Sequence, residues 1–431
     1  MIQIHRSSLK KKSRQLFRTV LSVLPSNIRF AFYRSLVDCD PAPDERLELK
    51  IAETKQELED CFRLLHDAYV GSGFMKPDPS GMRITQYHAL PTTTTLCAKY
   101  DGRIVGTISM IREGVFGFPL QAIFDLESVR AKGGNIAEIS ALAIHPEFRK
   151  TGGFILFPLM KFMHVYCAKF FDTRHLVIAV NPEKIELYEA LLLFERLQAV
   201  PVSHYEFANG APAVGATIDL NYAATIFKST YRGRSIRKNL YKYFFQSVIE
   251  NIKLPQRRYN VTNDPVMTPQ LLDHFFNKET QLFNALDDRK KSLLWSIYNV
   301  AEYRRVLPMM GAGAALEVQP LRRHQRYSIR CPAAVAFTHR DVDRLIVLTV
   351  IEISLSGFQA ECKLELPLGA VGVASIELGS QEKSRVQVVV IRCKKADGAN
   401  FIGFRVEEVD KVWRECVAVL EVGLTAGDLL Q

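Results

Sequence analysis

Hydrophobic and polar positions along residues 48–220 alternate between helical and strand-like periods, which predicts an α+β domain. Thr54-Lys-Gln-Glu57 has the spacing of a capping box, and apolar side chains recur after it at helical spacing. Apolar runs at 94–100 and 103–112 flank Asp101-Gly102, the favoured pair for a two-residue hairpin. Further predicted elements are strand 136–145, helix 154–171, strand 175–181, helix 183–194 and a second hairpin, 203–220, that turns at Asn209-Gly210.

The chain then enters a helical region. Residues 221–310 are predicted to be helical, with Thr268-Pro269 as one helix start and Asp287 as the cap of a helix over 288–306. A run rich in glycine and alanine predicts a linker at 311–320.

The last part of the chain has the pattern of a small β domain. Residues 321–421 contain short strands of period two, separated by glycine turns, and end in a predicted helix over 407–421. This pattern predicts an antiparallel barrel, with 422–431 as a tail. The residues predicted to share a strand face are Val347, Thr349, Ile351 and Ile353 on one strand, and Val386, Val388 and Val390 on another.

Composition narrows the class of protein. Of the 431 residues, 48% are hydrophobic and 24% are charged, which is typical of a globular chain. The net charge of +10 suits an anionic partner such as a nucleotide, an acidic carrier protein or a membrane surface. No apolar run reaches the roughly 18 residues that span a bilayer. The eight cysteines are scattered without a C-x-x-C pair, which favours a reduced, cytoplasmic setting without a zinc site.

The segment 1–47 differs from the rest of the chain. Its basic residues are mixed with large apolar ones, and no acidic residue occurs before Asp38. This pattern predicts a basic amphipathic helix that contacts an acidic protein or the inner face of the bacterial membrane. The alternative is a helix that packs on its own domain.

The first candidate site lies between strand 136–145 and helix 154–171. Arg149, Gly152 and Gly153 form an R-x-x-G-G turn before the helix. Unpaired backbone N–H groups at such a turn suit a phosphate or pyrophosphate, and the arginine adds positive charge.

The strand, this turn, the next helix and strand, and Asn181-Pro182 resemble the GNAT acyltransferases, with Phe154 where that family has a small residue. One branch fits better, the FeeM-type long-chain N-acyl amino acid synthases, which are relatives of the acyl-homoserine-lactone synthases. The resemblance implies a GNAT-like mixed sheet with flanking helices, an acyl carrier protein thioester as donor and an amino acid amine as acceptor, without metal, DNA or RNA. The stretches that carry it are Glu138–Pro146, Asn181–Tyr188, Asn209–Ala213, Thr268–Phe276 and Val306–Pro308.

This resemblance implies roles for individual residues. Glu138 is the candidate general base, and backbone N–H groups near Leu142 and Ala143 would face the thioester carbonyl. Tyr188 matches the GNAT tyrosine that can protonate the departing thiolate. The alternatives are a salt-bridged or surface role for Glu138 and a core role for Tyr188. The residues expected to hold the phosphopantetheine arm are Arg149, Gly152 and Gly153.

The second candidate site lies where the predicted barrel begins. Its motifs resemble the PilZ signatures R-x-x-x-R and [D/N]-x-S-x-x-G, with Glu352 in place of the usual Asp or Asn. The resemblance implies a six-stranded antiparallel barrel that binds cyclic di-GMP, because arginine forks fit phosphates and guanine edges. The alternative is a degenerate domain that only mediates contacts. The residues implied in binding are Arg322, Arg323, Arg326, Glu352, Ser354 and Gly357.

Together these features predict an N-acyltransferase regulated by cyclic di-GMP. One alternative is a non-catalytic cyclic di-GMP receptor, in which a degenerate acyltransferase fold acts through protein or membrane contacts. Ala141 and Phe154 favour it, because both depart from the family patterns. A second alternative is a lactone-type synthase that uses S-adenosylmethionine.

Overall fold

The computed structural model describes residues 24–149, 151–171, 173–255, 259–260, 267–298, 301–310, 324, 326–339, 342–379, 381–396 and 399–422. The first 23 residues, the expected linker at 311–320 and the tail from residue 423 onward lie outside this part of the chain.

A mixed sheet of eight strands forms the centre of the N-terminal half. Its strands are β1 (Leu47–Ile51), β2 (Thr93–Tyr100), β3 (Arg103–Arg112), β4 (Asn135–Ile144), β5 (Thr173–Val180), β6 (Glu195–Arg196), β7 (Val202–Tyr205) and β8 (Ala211–Asp219). They lie in the order β1-β2-β3-β4-β5-β8-β6, and β7 also pairs with β8. The β4–β5 pair is parallel, whereas the other pairs are antiparallel. Asp101 and Gly102 both have positive φ, which confirms the predicted hairpin between β2 and β3.

Helices cover both faces of this sheet. Those in and around it are α1 (Ser26–Ser35), α2 (Lys55–Gly71), α3 (Glu127–Arg130), α4 (Leu156–Phe171), α5 (Pro182–Leu192) and α6 (Leu220–Thr230). The first hydrophobic core contains residues of α4, α5 and α6, and the second contains residues of α2 together with residues 272–307. The capping box that starts α2 is confirmed, because Thr54 accepts the Glu57 N–H and Glu57 accepts the Thr54 N–H.

The region 221–310 is less regular than its sequence predicts. It contains α7 (Pro269–Leu272), α8 (Leu282–Ala285), α9 (Asp288–Ile297) and π-helical turns at Lys242–Gln246 and Asp273–Lys278. The expected caps at Thr268 and Asp287 are confirmed. The helix predicted over 288–306 is wrong beyond Ile297. The next residue, Tyr298, leaves the helical conformation, and its hydroxyl donates to the Ala89 carbonyl at 2.6 Å inside the core.

A closed antiparallel barrel of six strands forms the C-terminal unit. Its strands are β9 (Tyr327–His339), β10 (Val342–Ser354), β11 (Gly357–Cys362), β12 (Val371–Glu377), β13 (Lys383–Ala396) and β14 (Ala399–Glu408), in the closed order β10-β11-β14-β13-β12-β9. Helix α10 (Lys411–Val422) follows, and its Trp413 is fully buried and donates to the Ser354 carbonyl at 3.1 Å.

The face assignment is correct for one barrel strand and wrong for another. Val386, Val388 and Val390 are all buried, as predicted. On β10, however, Val347 is 75% exposed whereas Ile353 is buried. A register shift between Val350 and Glu352 explains the difference, since a bulge reverses the alternation of faces along a strand.

The described part of the basic N-terminal segment packs on its own domain. In α1, Arg29 forms a 2.6 Å salt bridge with Glu186 of α5, and Arg34 donates to the Ala190 carbonyl at 2.8 Å. For these residues the structure therefore shows the alternative given above, a helix that packs on its own domain. Among the described helices, none is both long and apolar enough to cross a bilayer.

A short segment of the N-terminal half inserts into the barrel. Asn260 donates its N–H to the Leu378 carbonyl at 2.7 Å and accepts the Arg330 N–H at 3.1 Å. Tyr259 is 3% exposed and belongs to the barrel core. A few residues earlier, the Asn251 carbonyl accepts the Leu49 N–H of β1 at 2.9 Å. The described residues 251–255 and 259–260, which we call the strap, therefore contact the edge of the sheet at one end and the barrel at the other.

Candidate functional site

The two parallel strands at the centre of the sheet separate part of the way along their length. The β4–β5 pairing runs from Asn135 opposite Thr173 only as far as Glu138 opposite Val177. On the other side of β4, a register shift against β3 occurs around Ala141, which has φ +54°. This bulge takes one residue of β4 out of the ladder and bends the strand. The result is an opening between β4 and β5 beyond Glu138.

A cavity of about 530 Å³ occupies this opening, a volume typical of a ligand pocket. Its walls come from both faces of the sheet, since α2-side and α4-side residues line it together. The residues on the α4 side are mostly apolar, and they include Met160, Met163, Ile178, Phe227, Phe244 and Phe245. The residues on the α2 side include Tyr69, Phe74, Tyr205 and Phe207.

Glu138 lies at the point where the strands separate. It is 2% exposed, lines the cavity, and accepts the Leu120 N–H at 3.0 Å. Within the described residues it has no salt bridge, so the surface and salt-bridged interpretations are both wrong. Burial raises the pKa of Glu138 from 4.5 to about 8, against the opposing effect of the Leu120 hydrogen bond. A carboxyl in this range exchanges protons near neutral pH.

Tyr188 lines the same cavity from α5. Its ring packs edge-on against Phe194 with 6.0 Å between centroids. Burial raises the pKa of Tyr188 to about 12, so its phenol stays protonated at neutral pH. The side chain thus has both a packing contact and a place on the cavity wall.

The predicted arm-binding residues divide into two groups. Leu142, Ala143 and Arg149 line the cavity, and Arg149 also donates to the Ile144 carbonyl at 2.7 Å. Gly152 and Gly153 are not among the residues that line the cavity, and they have φ +68° and +97°. A Cβ atom on Gly153 would lie 2.5 Å from the Phe157 ring, so this turn requires glycine for packing as well as for its backbone conformation.

The second candidate site has one ion pair at its centre. Arg326 donates to Glu352 across 2.7 Å, so the longer carboxylate arm reaches the arginine. Ser354 donates its hydroxyl to the Gly357 carbonyl at 3.1 Å, which closes the turn between β10 and β11. Two further predicted residues, Arg322 and Arg323, lie outside the described residues.

Comparison with known proteins finds a family match for each of two parts of the chain. Residues 60–219 match the family model of the N-acyl amino acid synthase FeeM, and residues 320–418 match that of the PilZ domain. The chain joins an FeeM-type domain to a PilZ domain. Both family resemblances predicted from the sequence are confirmed, as are the mixed sheet and the six-stranded barrel.

Several solved structures are similar to parts of the chain. FeeM from uncultured soil microbes is 23% identical, with 42% of this chain and 94% of FeeM covered and a TM-score of 0.36. BjaI, a CoA-dependent acyl-homoserine lactone synthase, is 16% identical over 49% of this chain and 95% of its own, with a TM-score of 0.35. The PilZ domain of YcgR from Escherichia coli with c-di-GMP is 19% identical over 23% of this chain and 89% of its own, with a TM-score of 0.21. No curated protein matches the chain.

The FeeM-type domain contains cavity residues that the sequence motifs do not predict. Tyr205 and Phe207 belong to the second hairpin. The sequence predicts where this hairpin turns, but not how it lies relative to the cavity. His164, on α4, also lines the cavity, and burial lowers the pKa of its imidazole to about 4. The apolar pattern of α4 is compatible with a plain core or with the wall of an acyl tunnel, and the opening between β4 and β5 makes Met160 and Met163 cavity walls. Metal-binding clusters of three His, Cys, Asp or Glu side chains are absent from the described residues.

Proposed function

We propose that the FeeM-type domain transfers a long acyl chain from an acyl carrier protein thioester to the amine of an amino acid. The observation that carries this proposal is Glu138. It is a buried carboxyl, without a cationic partner among the described residues, in a cavity that crosses the sheet where its parallel strands separate.

The groups around the cavity suit each step of the reaction. Glu138 takes one proton from the amine nitrogen as that nitrogen attacks the thioester carbonyl carbon. Backbone N–H groups at the Leu142–Ala143 bulge stabilise the negative oxygen that develops. The carbon–sulfur bond then breaks, and Tyr188 donates a proton to the departing thiolate. Proton return from Glu138 to Tyr188 through solvent completes the cycle, and the products are an amide and a free thiol.

The donor end of the cavity is basic. Arg149 and Lys184 line it, beside the glycine turn at Gly152 and Gly153. Positive charge and open backbone suit the phosphate of a phosphopantetheine arm. The apolar residues of the α4 side suit the hydrocarbon chain, because burial of apolar surface drives its entry.

The reaction is tested by product analysis. Purified protein is incubated with long-chain acyl carrier protein, or the matching acyl-CoA, and a mixture of amino acids, and products are analysed by mass spectrometry. We expect N-acyl amino acids, formed faster from the carrier protein. Release of methylthioadenosine from S-adenosylmethionine would favour a lactone-type synthase instead. Absence of any acyl product from either donor would favour a non-catalytic receptor.

We also propose that the PilZ domain binds cyclic di-GMP and that binding changes the rate of acyl transfer. The strap supports this coupling. It contacts β1 of the FeeM-type domain and, through Asn260, Arg330 of the PilZ domain. Arg330 lies near the start of β9, four positions after Arg326, the described arginine of the nucleotide motif. A ligand changes an equilibrium only if it binds two states differently, and movement at the start of β9 would provide that difference.

The regulation is tested by measuring acyl transfer with and without saturating cyclic di-GMP. We expect the two rates to differ in the native protein and to coincide in an Arg326→Ala variant, which loses a phosphate-binding fork. Equal rates in the native protein, with nucleotide binding demonstrated, would contradict the regulatory proposal and leave the acyl transfer proposal intact.

A further inference from the structure

The α2 side of the cavity region contains two buried ionisable side chains, one acidic and one basic. Glu138 is 2% exposed and Arg83 is 9% exposed. Among the described residues, neither has an oppositely charged partner within salt-bridge distance. Arg83 instead donates to the Phe207 carbonyl at 2.8 Å and contacts the Met75 sulfur at 3.8 Å. An ionisable group buried without a partner is costly, so two of them on one side of a cavity require an explanation.

Aromatic residues connect Arg83 to the cavity. Its guanidinium lies 4.0 Å from the centroid of the Tyr69 ring and 5.0 Å from that of Phe207. Both rings line the cavity, so Arg83 lies directly behind its wall. Stacking on aromatic faces holds a guanidinium in one orientation and partly replaces its hydration.

A third buried side chain, Tyr205, belongs to the same core and lines the cavity. It is 4% exposed, and its hydroxyl has no hydrogen-bond partner among the described residues. Burial is the main cause of its raised pKa; the Glu138 carboxyl raises it further, whereas Arg83 lowers it. Glu138 and Arg83 therefore both act on the Tyr205 ring. A buried phenol without a partner is a donor available to a ligand.

We propose that Tyr205 and Arg83 form the subsite for the carboxylate of the acceptor, whose amine faces Glu138. Tyr205 donates a hydrogen bond to the carboxylate, and Arg83 supplies the positive charge behind it. This inference rests on the proposed acyl transfer and assigns two residues to the recognition of the acceptor's carboxylate. An α-amino acid carries both groups, so its carboxylate compensates the Arg83 charge while its amine faces Glu138.

The test compares an amino acid with its carboxamide, which has nearly the same shape but lacks the negative charge. In the native protein we expect kcat/KM to be about ten- to a hundredfold higher for the acid, the usual effect of a charge-assisted hydrogen bond. Arg83→Met should remove most of this preference by lowering kcat/KM for the acid while leaving that for the carboxamide within a few-fold. Tyr205→Phe should reduce the preference partially.

Arg112 provides a matched control. It is equally buried, its guanidinium lies 3.7 Å from the Phe171 ring centroid, and it donates to the Pro91 carbonyl at 2.8 Å. Phe171 does not line the cavity, whereas the Tyr69 and Phe207 rings beside Arg83 do. Arg112→Met should keep the native preference for the acid. If Arg83→Met keeps that preference, or lowers both acceptors equally, the inference is wrong. Native protein that uses the carboxamide as well as the acid would also overturn it, whereas absence of any amide product would defeat the proposed acyl transfer itself.

Discussion

Burial of single side chains determines the acid–base chemistry proposed for the FeeM-type domain. Burial raises the pKa of the Glu138 carboxyl into the neutral pH range, and it keeps the Tyr188 phenol protonated. Near pH 7, Glu138 can therefore accept a proton, whereas Tyr188 can donate one. This division matches a base for the incoming amine and an acid for the departing thiolate.

The raised pKa of Glu138 predicts a specific pH dependence of stability. Between about pH 4.5 and pH 8 the unfolded chain releases this proton while the folded chain keeps it. The native protein therefore loses stability as pH rises through this window. Glu138→Gln cannot titrate, so the variant should gain stability relative to the native protein over the same range. Urea unfolding midpoints across the window test this, and two parallel stability curves would contradict it.

Tyr188 is tested with leaving groups of different acidity. Tyr188→Phe should slow transfer from an alkyl thioester by about a hundredfold, the usual contribution of a positioned acid. Transfer from an aryl thioester should be nearly unaffected, because an aryl thiolate leaves without protonation. Equal losses with both donors would indicate that Tyr188 only packs against Phe194.

At the scale of secondary structure, the turn between β10 and β11 depends on Gly357. A Cβ atom at this position would clash with the Phe404 carbonyl oxygen on β14. No side chain can occupy that space without moving the β11–β14 pair. Gly357 is thus explained by packing within the PilZ barrel, independently of any contact with a nucleotide base.

Substitution of this glycine should destabilise the barrel. Gly357→Ala is expected to lower the free energy of unfolding by about 1–3 kcal/mol, as overpacking usually does. The chain has two tryptophans, so a Trp295→Phe background leaves Trp413, buried in the barrel, as the fluorescent reporter. Gly403→Ala is the control, because its Cβ would approach Arg392 Cβ only to 3.3 Å. An equal loss in both variants would contradict the argument.

Elements that depend on neighbouring residues could be predicted from the sequence. The capping box at Thr54 and the hairpin at Asp101-Gly102 are local signals of this kind. The bulges around Ala141 and in β10 could not be predicted, because they depend on the register between strands distant in sequence. The motif at Glu138 identified one wall of the cavity. Arg83 and Tyr205 carry no local signal and reach the site only through packing of separate elements.

At the scale of the whole molecule, the strap is the described connection between the FeeM-type domain and the PilZ barrel. Asn260 bonds to β9 through Arg330, and it reaches the β12 side of the barrel through Leu378 and Glu377. A single residue thereby joins two barrel strands to a segment that begins at the edge of the sheet. Neither charge nor periodicity distinguishes this residue in the sequence.

Weakening the strap should separate binding from regulation. Asn260→Ala removes the 3.2 Å hydrogen bond to the Glu377 carbonyl, so cyclic di-GMP should still bind while its effect on acyl transfer decreases. Asn400→Ala removes a comparable hydrogen bond, from the Asn400 side-chain amide to the Lys363 carbonyl, also at 3.2 Å. This control variant should leave regulation intact. Titration calorimetry and transfer rates measure the two properties. Loss of regulation in both variants, or in neither, would argue against the strap as the connection.

The central claim is that acyl transfer to an amine occurs beside Glu138, and the pH dependence of amide formation tests it most directly. The native protein is predicted to show kcat/KM that rises with pH through about 8, as Glu138 becomes the carboxylate. Glu138→Gln is predicted to lose this rise and to be slower by about a hundredfold or more at its upper end. Native and variant profiles that coincide in shape and height would contradict the claim.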